Sequence, residues 1–571
     1  MRGPSSSHSA AALRIGRLAR DLMRSGGDPG DAAFPRGGLV HVEYDPNGSL
    51  VTTHRGQGSD MGLAGGLLGW APDDPRLPDY LEHMRKERLV CEVAYTSYGA
   101  RHPNTYKLHL EDSKGRVHNM AAISTGGGII ELEEVDGLPV HSFGDFHETL
   151  FFLTGMSRVS EALSLAQADP CVLHAAVVQQ QSDALHEPLT PRGALAALQI
   201  KSRAALPEGL IQALKTDLSA ESVRCFEPVL PILSSPTFHL PFSNASEIKQ
   251  QMNACPDRPL WSWALDYETA RGGISEREAL DRMAHLVHVF RGAVDSGRRG
   301  TSYDDRILPT QAPSLATAMS QGRVLGGDLL NSVILYVTSI MEVKSSMGLI
   351  VAAPTAGSCG ACPGAVLAVA DSLGSTERQV CEAFLVAGLI GVFIQRDATF
   401  AAEVGGCMAE CGAGSSMAAA AIVSLAGGSN EQALAAASLA LQNAFGMTCD
   451  PIGNRVEAPC LGKNVLAASN ALSCANMALS DFTAVVPLDE VILAMDSVGK
   501  QMPRELRCTG LGGLATTPTG LRILEELEPD SAVNPPTHEE EEQEDTMQRG
   551  KTLATATQRR PRGVGGHKTP C

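Results

Sequence analysis

The sequence predicts a multidomain chain: an N-terminal α/β (α+β) domain over 1–140, a small connecting domain over 141–242, a C-terminal all-α, Ala-rich domain over 243–527 and a disordered tail over 528–571. Three observations lead there. Alternating apolar residues around turn tetrapeptides mark strands in the first part of the chain. From about residue 243, Ala-rich runs with helix-start signals follow one another without convincing strands between them. Past Leu527 the composition turns to charge, Pro and Gly, which cannot bury enough apolar surface to fold alone.

The chain opens MRGPSSSHSAAALRIGRLARDLM. Gly3 and Pro4 make a turn, and Ser5, Ser6 and Ser7 are placed to cap the helix after them. Ala10, Leu13, Ile15, Leu18 and Leu22 give that helix an apolar face. With His8 beside the serines, such a helix start is also a candidate anion site, because free N–H groups and the helix dipole favour negative charge. GGLVHVEYDPNGSLVTTH at 37–54 reads as a hairpin around DPNG, and TYKLHLEDSKGRVHNMAAIS at 105–124 as another around DSKG. The glycine run STGGGIIELEEVDG comes next. Residues 141–242 mix short apolar segments with the Pro-rich EPVLPILSSPTFHLPF and read as a connecting or degenerate regulatory region. In the helical region Thr376 with Gln379 and Ser429 with Gln432 form capping boxes, the second helix being closed by Gly446. In the tail, THEEEEQED is acidic and QRRPRGVGGHKTPC basic, a solvated segment rather than a folded one.

Aromatics make up only 4% of the chain, so Ala and Gly carry much of the packing and backbones must approach closely. A formal net charge of −18 argues against a general nucleic-acid binder. The longest apolar runs, FLVAGLIGVFI at 384–394 and MAAAAIVSLAGG at 417–428, fall short of the roughly 20 residues a membrane span needs and read as buried helices. The first twenty residues have no apolar core of a secretory signal. Fourteen cysteines without dense regular spacing do not make a disulfide framework, and a reducing, cytoplasmic setting is expected.

Three cysteines stand out by context: Cys407 in AAEVGGCMAECGAGSSM just before a helix, Cys449 in GMTCDPIGN after a helix end, and Cys460 in EAPCLGKN. Each is expected on a loop where backbone amides can approach sulfur, as they do around iron–sulfur ligands. Spacing alone leaves open whether they are metal ligands, catalytic groups or buried hydrophobes, since neither a zinc ribbon nor a ferredoxin run is present. The pair Cys359 and Cys362 in TAGSCGACPG has redox or zinc spacing but no second pair to complete a site, and is assigned to packing.

Taken together, GPSSSHS at 3–9, HPNT at 102–105, APTAGS at 353–358, GGCMAE at 405–410, TCDP at 448–451, APC at 458–460 and TGLGGLATTPTG at 509–520 resemble the iron–sulfur L-serine dehydratases. The order is similar to a fusion of that family's β part, near 3–140, with its α part, near 243–520. The resemblance implies a lyase that converts L-serine to pyruvate and ammonia without pyridoxal phosphate. It implies Cys407, Cys449 and Cys460 as ligands of a [4Fe-4S] cluster, which leaves one iron open as a Lewis acid. It further implies His8, Ser6 and Asp60 as catalytic groups, and Ser5, Ser7, Asn104, Thr355, Ala356, Gly357 and Ser358 as substrate-binding groups. Lys463 and Asn464 come just after a ligand and stand either behind it or, for the lysine, on the surface. The implied partner is a small amino acid, with neither nucleic acid nor membrane, and a homodimer is a candidate assembly.

One departure matters. Where the family shows a GHGTD-like motif, this chain reads THRGQGSD, so Gln57 stands in the histidine's place while Asp60 is retained. Glutamine is no base near neutral pH. His8 or His54 then takes the role, or the chain acts on another substrate as an L-cysteine desulfidase-type lyase, or it is a catalytically impaired, cluster-bearing sensor. The chain ends in Cys571, to which no cluster role is given.

Overall fold

The computed structural model describes residues 1–24, 34–179, 196–230 and 239–528. Met1–Ile523 form one compact unit; a second begins at Leu524, and its described residues end at Glu528. The expectation for the tail, Cys571 included, therefore concerns residues that, Glu528 apart, lie outside those described.

The N-terminal part is built on a six-stranded sheet of β1 (Leu39–Tyr44), β2 (Val90–Tyr95), β3 (Thr105–Glu111), β4 (Val117–Gly126), β5 (Ile129–Val135) and β6 (Leu138–Ser142), in the order β2-β1-β3-β4-β5-β6. Only β1 and β2 run parallel. The hairpin expected around DSKG is β3–β4, with Leu108 opposite Met120. The one expected around DPNG is not formed. The turn is there, Gly48 N–H bonding to Asp45 O at 2.8 Å, but Leu50–Thr53 then coils into a helix, with Thr53 Oγ1 donating to Ser49 O at 2.6 Å. Both edges of β1 are already taken by β2 and β3, so no returning strand could pair there.

The apolar face foreseen at the chain's start packs as expected: the Ala11–Arg24 helix buries Ile15, Leu18 and Leu22 against β4 and β5. The serines before it do not cap it. Residues Ser6–Ala10 form a wider π-type turn, closed by Ala11 N–H to Ser6 O, and their hydroxyls turn to other partners. The Ser59–Leu67 helix crosses this first helix at backbone contact. A Cβ on Gly66 would fall on the Leu13 carbonyl oxygen and lie 2.8 Å from Arg17 N, which fixes Ser5–Ser9 beside Gln57.

A second sheet consists of β7 (His147–Leu153), β8 (Val172–Gln179), β9 (Ala196–Ser202) and β10 (Ser222–Phe226), ordered β10-β7-β9-β8, with helices Val159–Gln167 and Glu208–Asp217. Strand alternation splits its residues: Phe151, Leu153, Leu198 and Ile200 pack under those helices, whereas Leu150, Phe152, Ala197 and Phe226 join the core of the first sheet. Arg224 of β10 reaches His118 Nε2 at 2.9 Å, and His118 Nδ1 meets Asp136 Oδ2 at 2.7 Å, so the two sheets are also joined by polar contacts.

The remainder is helical. Ala413–Leu425 runs through the middle, flanked by Ala361–Leu373, Glu377–Asp397, Asn430–Gln442 and Cys460–Leu479. Ala418, Ala419, Ala420 and Ala421 are all inaccessible, because small side chains let neighbours close in on every side. Both capping boxes are present as expected. Ala402–Leu425 is long and apolar enough to cross a membrane by composition, but it is broken at Gly406 and 83% of its apolar window is buried within the fold.

Candidate active site

Three local features bring the cysteines together. Gly406 adopts φ +66°, and a Cβ there would lie 2.8 Å from Met447 O, so the GG pair lets the chain kink and aim Cys407 inward ahead of a π-type turn, Met408–Gly412. Cys449 lies on an extended stretch paired to 506–508: its N–H donates to Leu506 O at 2.8 Å, and Cys508 N–H donates to its carbonyl at 3.1 Å. Cys407 and Cys460, both expected on loops, instead end the Ala402–Cys407 helix and begin the Cys460–Leu479 helix; burial and the nearby Cys407 charge push the Cys460 thiol up. Sulfurs of Cys407 and Cys449 and a Glu410 carboxylate oxygen lie within 4.8 Å of one another, and Cys449 and Cys460 border one small cavity. All three cysteines are buried and free of disulfides.

Two more thiols join them, which sequence reasoning misses. Cys411 donates to Cys407, as does Cys449, and these hydrogen bonds hold the Cys407 thiol well below its usual range. Cys508 borders the same cavity and takes a 3.4 Å contact from Gln57 Nε2. Lys463 is not a free surface group: its ammonium donates to Thr448 O at 2.6 Å and to Asp450. Cys359 and Cys362 are apart from this cluster. Burial pushes both thiols up to about 12.

The N-terminal serines meet this thiol group across the cavity, which Ser5, Ser7, Gln57 and Gly357 also border. Ser6 Oγ accepts from Ala356 N at 3.1 Å, joining the serine turn to the Thr355–Ser358 loop. Thr355 Oγ1 contacts Ser358 Oγ at 3.0 Å and donates to Glu410 Oε1 at 2.6 Å. Asn464 fastens the same loop to the Cys460 helix, donating to Gly357 O at 2.8 Å and to Cys460 O at 2.9 Å. His8 is enclosed: Nδ1 lies 3.1 Å from Ser5 Oγ and 3.0 Å from Ser7 Oγ, and Nε2 lies 2.8 Å from Thr53 Oγ1. Burial lowers its pKa to about 4, against the pull of Glu403, so the ring is neutral near pH 7.

Asp60 and Asn104 sit behind this group rather than on the cavity. Asp60 Oδ1 holds His54 Nδ1 at 2.7 Å, and His54 Nε2 meets Tyr95 OH at 2.9 Å. Asn104 accepts from Ser49 Oγ and is fully buried. Two acids unnoticed in the sequence complete the site. Glu403 accepts the Ser7 hydroxyl at 2.7 Å and lies 3.5 Å from His8 Nδ1. Glu410 is pushed up to about 8 by burial and by the nearby Cys407 sulfur. Their signal is their position four residues before and three after Cys407, in AAEVGGCMAECG.

Buried thiols facing serine hydroxyls and two carboxylates across a small cavity, with a neutral imidazole enclosed behind the serines, are the arrangement of a small-molecule enzyme whose site is shared by two parts of one chain. The family model for the serine dehydratase alpha chain matches residues 201–515, and the chain belongs to that family. It is 39% identical over 253 residues to "Probable L-serine dehydratase, alpha chain" of Bacillus subtilis (strain 168), covering 44% of this chain and 84% of that protein. It is 36% identical over 278 residues to "L-serine dehydratase, alpha chain" of Peptoniphilus asaccharolyticus, covering 48% and 95%. Against "L-serine dehydratase 1" of Escherichia coli (strain K12) it is 27% identical over 530 residues, 90% of this chain and 96% of that protein. The last match spans the N-terminal part and the helical part together.

Proposed function

We propose that this chain dehydrates and deaminates L-serine to pyruvate and ammonia, with Cys407, Cys449 and Cys460 holding a [4Fe-4S] cluster. The observation that carries the reading is the convergence of the buried thiols of Cys449 and Cys460 with the N-terminal serine turn on one cavity, with the Cys407 sulfur within 4.8 Å of that of Cys449, in a chain of the serine dehydratase family. The donor set fits the group: soft sulfurs, a helix N-terminus at Cys460, and the Lys463 ammonium close enough for the Cys407 charge to raise its pKa. Such a cluster supplies Lewis acidity toward the departing β-hydroxyl.

The chain's own groups do the rest. The Ser5 hydroxyl, with the turn of Thr355, Ala356, Gly357 and Ser358, receives the substrate carboxylate, while Ser6 keeps that turn in place and Ser7, beside the substrate, donates to Glu403. His8 is the base. It is held neutral, the form that can accept a proton, and Glu403 at 3.5 Å stabilises the imidazolium once formed. The α-proton reaches Nδ1 through the bridging serine hydroxyls. Loss of that proton and of the β-hydroxyl gives aminoacrylate and water; its imine tautomer takes up water to give pyruvate and ammonia. Asp60 acts from a distance by orienting His54.

Anaerobic purification, absorption in the iron–sulfur charge-transfer region and a pyruvate assay before and after exposure to air test this reading. A cluster with oxygen-sensitive pyruvate formation from L-serine is expected. Absence of the cluster absorption overturns the ligand assignment, and a cluster without pyruvate replaces the lyase by a sensor or by another substrate such as L-cysteine. His8→Asn is expected to lower the rate by about 10²-fold, the range of a lost general base. Gln57→His is expected to give no comparable gain; a large gain would move the base to position 57.

A further inference from the structure

We propose that Glu403 is the anchor for the substrate's α-ammonium, and so the group that makes the site select an amino acid over the corresponding hydroxy acid. The inference rests on the proposed action on serine, to which it adds the recognition of the amine. The two oxygens of Glu403 differ. Oε1 is engaged by the Ser7 hydroxyl at 2.7 Å and faces His8. Oε2 is buried and has no hydrogen-bond partner, although the residue borders the cavity. A buried carboxylate oxygen left bare is costly, and the cost is removed when a charged N–H donor enters.

The charge around the cavity points the same way. Among the described residues bordering it are two acids, Glu403 and Glu410, and no Lys or Arg. A ligand that brought only a carboxylate would face the Glu403 carboxylate with no cation on the lining; a zwitterion brings its own. Glu410 is already engaged by Thr355 Oγ1 at 2.6 Å and stands beside Gly357, on the loop side. Glu403, held from the serine side, is the one of the two acids with a buried oxygen that no donor reaches. An ammonium on Oε2 also places Cα next to Ser7 and His8, the groups that receive its proton, so one side chain both selects the substrate and orients it.

The test compares L-serine with L-glycerate, which carries a hydroxyl in place of the ammonium. Binding of each to the cluster-loaded full-length protein is measured by calorimetry, and steady-state kinetics are run alongside. The wild-type protein is expected to bind L-serine at least tenfold more tightly than L-glycerate. Glu403→Gln, which keeps an acceptor for Ser7 but loses the charge, is expected to weaken L-serine binding and raise its KM at least tenfold. L-Glycerate binding and the cluster absorption are expected to change less than threefold. If Glu403→Gln lowers kcat while the binding of both ligands is unchanged, Glu403 acts only through His8 and the anchor is overturned. Equal binding of the two ligands by the wild-type protein overturns it without any variant. Wild-type protein that makes no pyruvate from L-serine fails the proposed function itself, a result distinct from either of these.

Discussion

Acidifying the protein from pH 7 to pH 5 is expected to cost about 2 kcal/mol of stability through His8 alone. Burial in the turn between Ser5, Ser7 and Thr53 lowers the folded pKa to about 4, from 6.5 for an unhindered imidazole. Glu403 opposes the shift without reversing it, and His54 adds to it. As the pH falls through 6.5 the unfolded chain takes up a proton that the folded ring refuses, so the stability present above 6.5 is lost on the way down to about 4. The whole interval is worth about 3 kcal/mol at 1.36 kcal/mol per unit. Buried acids work the other way, Asp21 and Glu410 among them. Burial raises Asp21 to about 6 and Glu410 to about 8, so both bind protons more readily folded than unfolded and add stability as the pH drops. A wild-type profile therefore mixes signs, and the informative quantity is a difference. Urea unfolding of the wild type and His8→Asn at pH 7 and pH 5 gives four stabilities. The variant is expected to lose about 2 kcal/mol less on acidification than the wild type. Equal losses would mean that His8 is protonated or solvated in the native protein, and the argument for a neutral base would go with it.

Gly66→Ala is expected to cost about 2 kcal/mol, because the added methyl drives the Ser59–Leu67 helix off the Leu13 carbonyl, and the thermal midpoint falls accordingly. Gly292→Ala is the contrast: it sits exposed in the Glu276–Arg299 helix with nothing within 4 Å of a new Cβ, and is expected to be neutral or stabilising by about 0.5–1 kcal/mol. Cys449→Ala is expected to abolish cluster absorption and bound iron, whereas Cys362→Ala leaves both intact; iron loss in the second variant would return the Cys359–Cys362 pair to the site.

How much of this the sequence could disclose depends on the distance over which each contact acts. The capping boxes at Thr376 and Ser429 bond residues three apart, and the β3–β4 hairpin closes over a four-residue turn, so both were readable in place. DPNG carries an equally good turn signal, yet the chain leaves that turn as a helix, because β1 already lies between β2 and β3. The serines at 5–7 obey the same rule at the site. Their local chemistry suits a helix cap, and the hydroxyls are instead drawn to Ala356 N–H and to Glu403 from hundreds of residues away. Glu403 itself is a plain acid in a glycine-rich stretch until Ser7, 396 residues upstream, takes one of its oxygens. Motif resemblance could find Cys407, Cys449 and Cys460 because the same residues recur in the same order. It could not find Cys508 or Cys411, whose place beside those sulfurs comes from the pairing of 449 with 506–508 and from the wide turn after Cys407. The fold thus adds to the sequence the partner of each polar group. At this site the partner decides the chemistry: a serine that would have capped a helix holds a carboxylate in position, and that carboxylate keeps its other oxygen free.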